Sequence, residues 1–255
     1  MSGPHGTGIT ILLLGATGAT GRLLLGQLIA QGHEVCAIVR SRASVPPQLR
    51  AHPRLALTQG TVLDLDDDAL LRHVQDCDAV VSCLGHTLSF KGMFGAPRKL
   101  VTASVRRVCH AITESRPRPR VRVVLMGSSG VRNLDVRERI SPAQSGVIFL
   151  LRWLLPPHRD NEQAAEHLRT HIGQNHPFVE WTVVRPDGLV DEDEVSEYDL
   201  HASPTRSAIF DAGSVSRANV AHFIKRLVTD DETWDEWHGR MPVIYGCENA
   251  RPTDT

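Results

Sequence analysis

Short apolar runs recur along the first half of the chain, and amphipathic segments separate them. The runs carry little polar alternation, as is typical of parallel strands buried on both faces, and they cover residues 9–14, 33–39, 54–59, 78–85 and 121–126. Helical spacing of apolar residues appears between them, at residues 23–30, 66–74 and 99–115. This alternation of strands and helices predicts a doubly wound α/β fold around a parallel sheet.

The second half of the chain is less regular. Asp160, with Gln163 three residues later, predicts the N-cap of a helix that continues through residues 164–169. Beyond it, the pattern predicts a sixth strand, an acidic loop, a late helix and a final strand, at residues 181–186, 187–198, 217–224 and 241–245. Pro242 lacks an N–H to donate, so we expect the final strand at the sheet edge.

The most apolar segment, residues 147–155, stops at Pro156 and Pro157 and is too short to span a bilayer. Three alternatives fit it. It is a core helix, a surface that contacts a second copy or another protein, or an interfacial anchor. Stable insertion into a membrane is not expected.

A glycine-rich turn, Gly15-Ala16-Thr17-Gly18-Ala19-Thr20-Gly21-Arg22, joins the first strand to the first helix. Glycines permit a tight turn and let a pyrophosphate approach the backbone, where N–H groups at the positive end of the helix bind its charge. The spacing is Gly-x-x-Gly-x-x-Gly, yet strand, turn and helix form the context that a dinucleotide fingerprint requires. The turn therefore predicts a Rossmann-type dinucleotide site, with an ordinary glycine-rich turn as the alternative.

Two arginines follow the second strand, Arg40 and Arg42. An acid at this place would hold the ribose 2′-hydroxyl of NAD, whereas guanidinium groups bind the 2′-phosphate of NADP. No acid is present, so we predict that NADP(H) is preferred over NAD(H). The alternative is a solvated basic loop.

The strand ends predict where the site lies. Ligands of doubly wound sheets bind beyond the carboxyl ends of the strands, where the strand order reverses. Gly15, Arg40, Asp64, Gly85 and Ser128 are therefore expected to converge on one crevice. Asp64 is a candidate to accept a hydrogen bond from the adenine amino group, or is one more acid near a helix start.

Composition narrows the class of protein. A net charge of −1 gives no case for a nucleic-acid partner. The five cysteines are odd in number and lack a Cys-x-x-Cys pair, so we expect small buried side chains in a reducing compartment rather than disulfides or metal ligands. No signal-peptide pattern precedes the first strand, and the expected location is the cytoplasm.

One domain accounts for a chain of 255 residues. We expect a disordered start at residues 1–8, one dinucleotide-binding domain at residues 9–246, and a flexible end at residues 247–255. Insertions around residues 86–98 and 187–215 are expected to form a small substrate lobe, largely towards the C-terminus.

The motifs together resemble the atypical short-chain dehydrogenase/reductase superfamily, in its NmrA-like, NAD(P)H-binding branch, which includes flavin/biliverdin reductase-like proteins. The resemblance covers nearly the whole chain. Its carriers are residues 15–22, 60–64, 128–129, 165–166, 182–186 and 216–221.

The resemblance implies roles for individual residues. The pyrophosphate would be cradled by Gly15, Thr17, Gly18, Ala19, Thr20 and Gly21. Arg22, Arg40 and Arg42 would lie near the 2′-phosphate. Leu84 and Gly85 would line the path of the ribose and nicotinamide, and the segment from Pro186 to Leu189 would line the nicotinamide face.

The chain departs from the usual Tyr-x-x-x-Lys pair of short-chain dehydrogenases. Four residues after Tyr198 and Tyr245 stand Ala202 and Asn249, so the motif does not occur. Alignment on residues 165–166 puts His158 at the Tyr position and Glu162 at the Lys position. A carboxylate can bind ribose hydroxyls, but unlike lysine it raises the pKa of a neighbouring acid.

Two functions fit this departure. One is hydride transfer from NADPH to an easily reduced small molecule such as a quinone, flavin or conjugated carbonyl, with Ser128 or Ser129 orienting the acceptor and His158 or His86 supplying a proton. The other is a non-catalytic NADP(H)-sensing regulator that acts through a protein partner. An isomerase or dehydratase fits less well, because it too normally needs the missing Tyr and Lys.

Overall fold

A computed structural model describes residues 8–85, 99–136, 138, 156–207 and 211–247. The main sheet consists of eight strands, β1 (Thr10–Leu14), β2 (Glu34–Val39), β3 (Leu55–Gln59), β4 (Ala79–Ser82), β5 (Val121–Met126), β6 (Val179–Pro186), β8 (Tyr198–His201) and β10 (Val243–Gly246). Their order in the sheet is β3-β2-β1-β4-β5-β6-β10-β8. Seven of them are parallel, and the last, β8, runs antiparallel to β10. A separate parallel pair is formed by β7 (Gly188–Val190) and β9 (Ser214–Ser216).

Helices cover both faces of the main sheet. Their bounds are α1 (Ala19–Ala30), α2 (Pro47–Arg50), α3 (Asp67–Val74), α4 (Leu100–Ser115), α5 (Pro156–His167), α6 (Arg217–Thr229) and α7 (Asp231–Trp237). A 3₁₀ turn at Arg42–Ser44 follows β2, and a π-helical turn at Leu168–Ile172 continues α5. The predicted doubly wound fold is thus confirmed.

The two cores explain why the strands lack polar alternation. In β1, Ile11 and Leu13 pack with α1, α6 and α7 on one face, while Leu12 and Leu14 pack with α3, α4 and α5 on the other. Because successive side chains of a strand point to opposite faces, both sets must be apolar.

The carboxyl ends of the strands line up on one edge. Leu14 of β1 pairs with Ile38 of β2 and with Ser82 of β4. The chain crosses from the β2 side of β1 to the β4 side, so the order reverses beside this strand. The glycine turn begins at Gly15 and leaves β1 at that reversal, where ligands of such sheets bind.

Two predictions about the second half are wrong. The final strand is not at the edge, because β8 pairs with β10 and covers it, and Pro242 lies just before the strand. Asp160 is not an N-cap of its own helix. The helix already begins at Pro156, and the Asp160 carboxylate instead accepts hydrogen bonds from the first turn of α4.

The acidic stretch predicted as a loop contains regular structure, since β7 lies within residues 187–198 and β8 begins at its end. Several predictions fall outside the described residues. They concern His86, the insertion at residues 86–98, the apolar segment 147–155, and most of both chain ends.

Candidate functional site

The three glycines of the turn differ in how strictly the backbone requires glycine. Gly15 has φ +79°, a left-handed conformation, and a Cβ there would stand 2.5 Å from the Cys83 carbonyl oxygen. A Cβ on Gly21 would stand 2.1 Å from the Gly15 carbonyl oxygen, so this glycine lets α1 pack against the turn. Gly18 is exposed, and the nearest atom to a Cβ there is the same oxygen, at 3.3 Å.

The first turn of α1 offers its backbone N–H groups to a ligand. No side chain caps this helix, and no acid occupies its first turn. By contrast, side chains cap α3 and α6, through Asp66 and Ser216. An uncapped helix start beside glycine backbone suits a negatively charged group, so the cradle fits the pyrophosphate of a dinucleotide.

The three arginines predicted near a 2′-phosphate differ in their partners. Arg42 donates to the Leu57 carbonyl oxygen at 2.7 Å, which ties it to β3. Arg22 and Arg40 are exposed, and neither makes a hydrogen bond or ion pair within the described ranges. The two free guanidinium groups flank the glycine turn, one at the start of α1 and one at the end of β2.

Few contacts within the protein involve the residues predicted to bind the adenine and the ribose. Asp64 is exposed, and its Oδ2 accepts a hydrogen bond from Thr61 Oγ1 at 2.7 Å. Leu84 and Gly85 follow β4 at the same edge. Nothing lies within 4 Å of a Cβ built on Gly85, so packing in the described part of the protein does not require glycine there.

The two serines after β5 have different environments. Ser129 Oγ donates to Asp187 Oδ1 at 2.8 Å, and the other oxygen of this buried carboxylate accepts from Gly213 N at 2.8 Å. Ser129 therefore joins the end of β5 to the segments around β7 and β9. The Ser128 hydroxyl has no such bond in the part of the chain described. Of the two candidates, Ser128 is the one available to a ligand.

His158 and Ser128, two of the candidate catalytic residues, lie close together. A Cβ on Gly130 would stand 3.1 Å from His158 Cε1 and 3.8 Å from Ser128 Oγ, so all three share one space. His158 Nε2 lies 3.4 Å from Glu162 Oε1 one helical turn on, and the two side chains are only 13% and 14% exposed. Nε2 is buried and forms no hydrogen bond, because the contact with Glu162 is an ion-pair distance without hydrogen-bond geometry.

The predicted nicotinamide-facing residues continue this edge. Pro186 ends β6, and its carbonyl oxygen accepts from Ser129 N at 2.8 Å. Leu189 lies in β7 and packs partly against the core on the α1 side. The end of β6 is thus next to the serines, whereas the position of Leu189 is determined by the pairing of β7 with β9.

A buried ion pair under the site was missed from the sequence. Arg185 is 0% exposed, and its guanidinium lies 2.6 Å from Glu138 Oε1. It also donates to the carbonyl oxygens of Met241 and Val131, at 2.7 and 2.9 Å. Burial lowers the pKa of Arg185, and Glu138 opposes that shift. The only sequence signal was a charged residue at the end of the apolar sixth strand.

The buried cysteines are not suited to nucleophilic chemistry, and the residues that the structure describes form no metal site. Burial raises the pKa of the thiols of Cys77, Cys83 and Cys109 to about 12, so these thiols are poor nucleophiles. Across the described segments, no group of three or more His, Cys, Asp or Glu side chains is arranged to hold a metal ion. Nor does any helix described there have the length and apolar character to cross a membrane.

Comparisons with known proteins agree with this geometry. Residues 15–231 match the sequence profile of an NAD(P)H-binding family. A comparison with curated proteins found no significant match.

Solved structures share the fold at low sequence identity. A short-chain dehydrogenase/reductase from Veillonella parvula, in complex with NADP, is 17% identical, with a TM-score of 0.67 over 97% of this chain and 100% of the other. An anaerobilin reductase from Escherichia coli O157:H7 is 18% identical, with a TM-score of 0.65 over 96% of this chain and 100% of the other. An oxidoreductase from Lactococcus lactis is 16% identical, with a TM-score of 0.65 over 94% and 91%.

The profile spans well over half of the chain, and the solved structures share its fold. The chain therefore belongs to this NAD(P)H-binding family.

Proposed function

We propose that this protein is an NADPH-dependent oxidoreductase that reduces a small, easily reduced acceptor such as a quinone, a flavin or a conjugated carbonyl. Family membership supports the binding of a nicotinamide dinucleotide. When bound, that cofactor supplies a hydride. The observation that carries the NADP(H) preference is the unpartnered, exposed Arg40 at the end of β2, where no acid is present to hold a 2′-hydroxyl.

We propose that the cofactor site binds two parts of the cofactor, the pyrophosphate and the 2′-phosphate. The uncapped first turn of α1 binds the pyrophosphate through the backbone N–H groups of Ala19 and Thr20. Gly18 N–H donates to the Gly15 carbonyl oxygen at 2.9 Å, so Gly18 contributes by letting the pyrophosphate approach the backbone. Arg40 and Arg22 bind the 2′-phosphate, and Arg42 assists with the part of its guanidinium that is not committed to Leu57.

The chemistry is proposed to use the space that Ser128 and His158 share. Ser128 orients the acceptor by a hydrogen bond, and His158 donates a proton to the acceptor heteroatom that gains electron density. Glu162 holds the imidazole in place through the 3.4 Å contact and accepts from a ribose hydroxyl. Positioning accounts for most of the catalysis, because such acceptors need little acid assistance.

Nucleotide affinity tests the cofactor proposal. We expect NADPH to bind at least tenfold more tightly than NADH, measured by nicotinamide fluorescence at low ionic strength, since a bidentate phosphate contact contributes about 1.5–3 kcal/mol. The double variant Arg40→Ala/Arg42→Ala should lose this preference. Arg72→Ala, which removes an exposed charge from α3, should keep it. Equal affinity in the unmodified protein would refute the proposal.

A second function, a non-catalytic NADP(H) sensor, is favoured by one feature, the lack of a Tyr-x-x-x-Lys motif. A panel of quinones, flavins and conjugated carbonyls separates the two functions. NADPH oxidation that depends on Ser128 and His158 supports the reductase. Tight NADPH binding with no turnover across the panel supports the sensor.

A further inference from the structure

Asp160 is a buried carboxylate in the helix that carries the proposed chemistry. It lies on α5 midway between His158 and Glu162, and it is 2% exposed. A carboxylate is rarely placed in such a position without strong hydrogen-bond donors, because burial of an uncompensated charge is costly.

The donors come from a different helix. Asp160 Oδ2 accepts from Val101 N at 2.8 Å, and Oδ1 accepts from Thr102 N at 3.0 Å. In addition, Thr102 Oγ1 donates to the Asp160 carbonyl oxygen at 2.8 Å. No side chain of its own caps α4, whose N-cap residue is Lys99. The carboxylate therefore caps α4 from outside and also benefits from the positive end of that helix.

The helical spacing gives this cap a second consequence. Residues two apart on an α-helix point about 200° apart around its axis, so Asp160 projects away from the side that bears His158 and Glu162. A three-bond attachment on the α4 side therefore fixes the rotation of α5 about its axis. That rotation decides where the imidazole stands relative to Ser128.

We propose that Asp160 is a positioning residue that sets the orientation of His158 by clamping α5 to the N-terminus of α4. This inference rests on the proposed function for its catalytic consequence, but not for its structural one. The far end of α5 is attached elsewhere, because Arg169 pairs with Asp135 in the segment after β5. Arg169 also binds Glu166 at 2.8 and 3.0 Å, within the same helical run. The hydrogen bonds of Asp160 therefore fix the orientation of the N-terminal half of α5, which carries His158.

The direct test measures the His158 ring in the nucleotide-free protein. Imidazole nitrogen and proton resonances are recorded by long-range ¹H–¹⁵N NMR and assigned with His158→Gln. Asp160→Asn keeps one carbonyl oxygen as an acceptor and is expected to shift the His158 resonances. The matched control is Asp66→Asn at the exposed N-cap of α3, where the carboxylate accepts from Ala69 N at 2.6 Å; it is expected to leave them unchanged. An unchanged His158 spectrum in Asp160→Asn would overturn the inference.

A kinetic test adds the functional consequence. Asp160→Ala is expected to lower kcat with a simple quinone roughly tenfold to a hundredfold, as displacement of a catalytic group does. The Kd for NADPH should rise less than kcat falls, because Glu162 supplies only one of the proposed cofactor contacts. Asp160→Asn should fall between this variant and the wild type. Unchanged kcat in both variants would contradict a positioning role, even if their Tm falls.

The two tests separate two kinds of failure. Absence of turnover in the wild-type protein would count against the proposed function, and the NMR comparison would then decide the inference alone. If Asp160→Ala does not fold, Thr102→Val provides the second variant. It removes only the Thr102 Oγ1 bond to the Asp160 carbonyl oxygen, and it should shift the His158 resonances in the same direction as Asp160→Asn, but less. The opposite direction, or no shift, would contradict the clamp.

Discussion

Alanine at Gly18 is expected to weaken dinucleotide binding while leaving the fold almost as stable. Gly18 has φ −73° and ψ 167°, a conformation that any residue adopts. The added Cβ would meet only the Gly15 carbonyl oxygen at 3.3 Å, which a shift of a few tenths of an ångström relieves. Since glycine is the better N-cap residue, we expect a loss of about 0.5–1 kcal/mol in the free energy of unfolding.

Alanine at Gly21 provides the contrast. Its Cβ would stand 2.1 Å from the Gly15 carbonyl oxygen, 2.9 Å from the Gly15 carbonyl carbon and 3.2 Å from Ala16 Cα. All three atoms are backbone, so α1 would have to move away from the end of β1. Overpacking of this kind costs about 1–3 kcal/mol or more.

Although Gly18→Ala should change the stability little, it should weaken NADPH binding strongly. We expect Gly18→Ala to raise the Kd for NADPH roughly tenfold to a hundredfold, equivalent to about 1.4–2.8 kcal/mol, because the new methyl group would stand where we propose that the pyrophosphate approaches the backbone. Nicotinamide fluorescence gives the Kd and urea unfolding gives the stability. Unaltered NADPH affinity in Gly18→Ala, or a stability loss as large as in Gly21→Ala, would refute this account of the turn.

Three further predictions concern the surroundings of the site. Ser129→Ala should cost about 1 kcal/mol of stability through its lost hydrogen bond, whereas Ser128→Ala should slow turnover at unchanged Tm; the reverse pattern would reassign the two serines. Glu138→Gln leaves a buried guanidinium without its counter-charge and should cost about 3–5 kcal/mol in urea unfolding, so a loss below about 1 kcal/mol would contradict the buried pair. Burial, with smaller contributions from His171 and Arg106, lowers the pKa of His167 to about 4. Because the unfolded state then binds more protons, stability should fall as the pH drops from about 6.5 towards 4, by about 1–2 kcal/mol after a discount for partial solvent exposure. His167→Gln should flatten this pH dependence and His110→Gln should not; equal slopes in both would contradict it.

The first half of the fold could be predicted because both faces of its strands are buried. In β1, alternate side chains enter the two cores, so the whole run is apolar and cannot be mistaken for a surface strand. The glycine turn could be recognised because the backbone geometry that requires glycine arises between residues close in sequence. Gly15 needs a left-handed conformation and Gly21 needs close backbone contact, and both lie within the turn itself.

The features that were predicted wrongly or missed from the sequence depend on contacts between distant parts of the chain. Asp160 has the spacing of a capping box, yet its carboxylate caps a helix that begins 60 residues earlier, at Leu100. Residues 241–245 contain a proline typical of an edge, yet β8 comes back from an acidic segment to cover the strand. The partner of Arg185, Glu138, is likewise 47 residues away. Local patterns carry no information about such partners.

The most direct test of the central claim isolates the 2′-phosphate from the rest of the cofactor. Adenosine 2′,5′-bisphosphate and adenosine 5′-monophosphate are each used to displace NADPH from the wild-type protein at low ionic strength, followed by nicotinamide fluorescence. We predict that the bisphosphate displaces NADPH at a concentration at least about tenfold lower, and that Arg40→Ala narrows this difference. Equal potency of the two nucleotides on the wild-type protein would contradict the assignment of Arg40 and the preference for NADP(H).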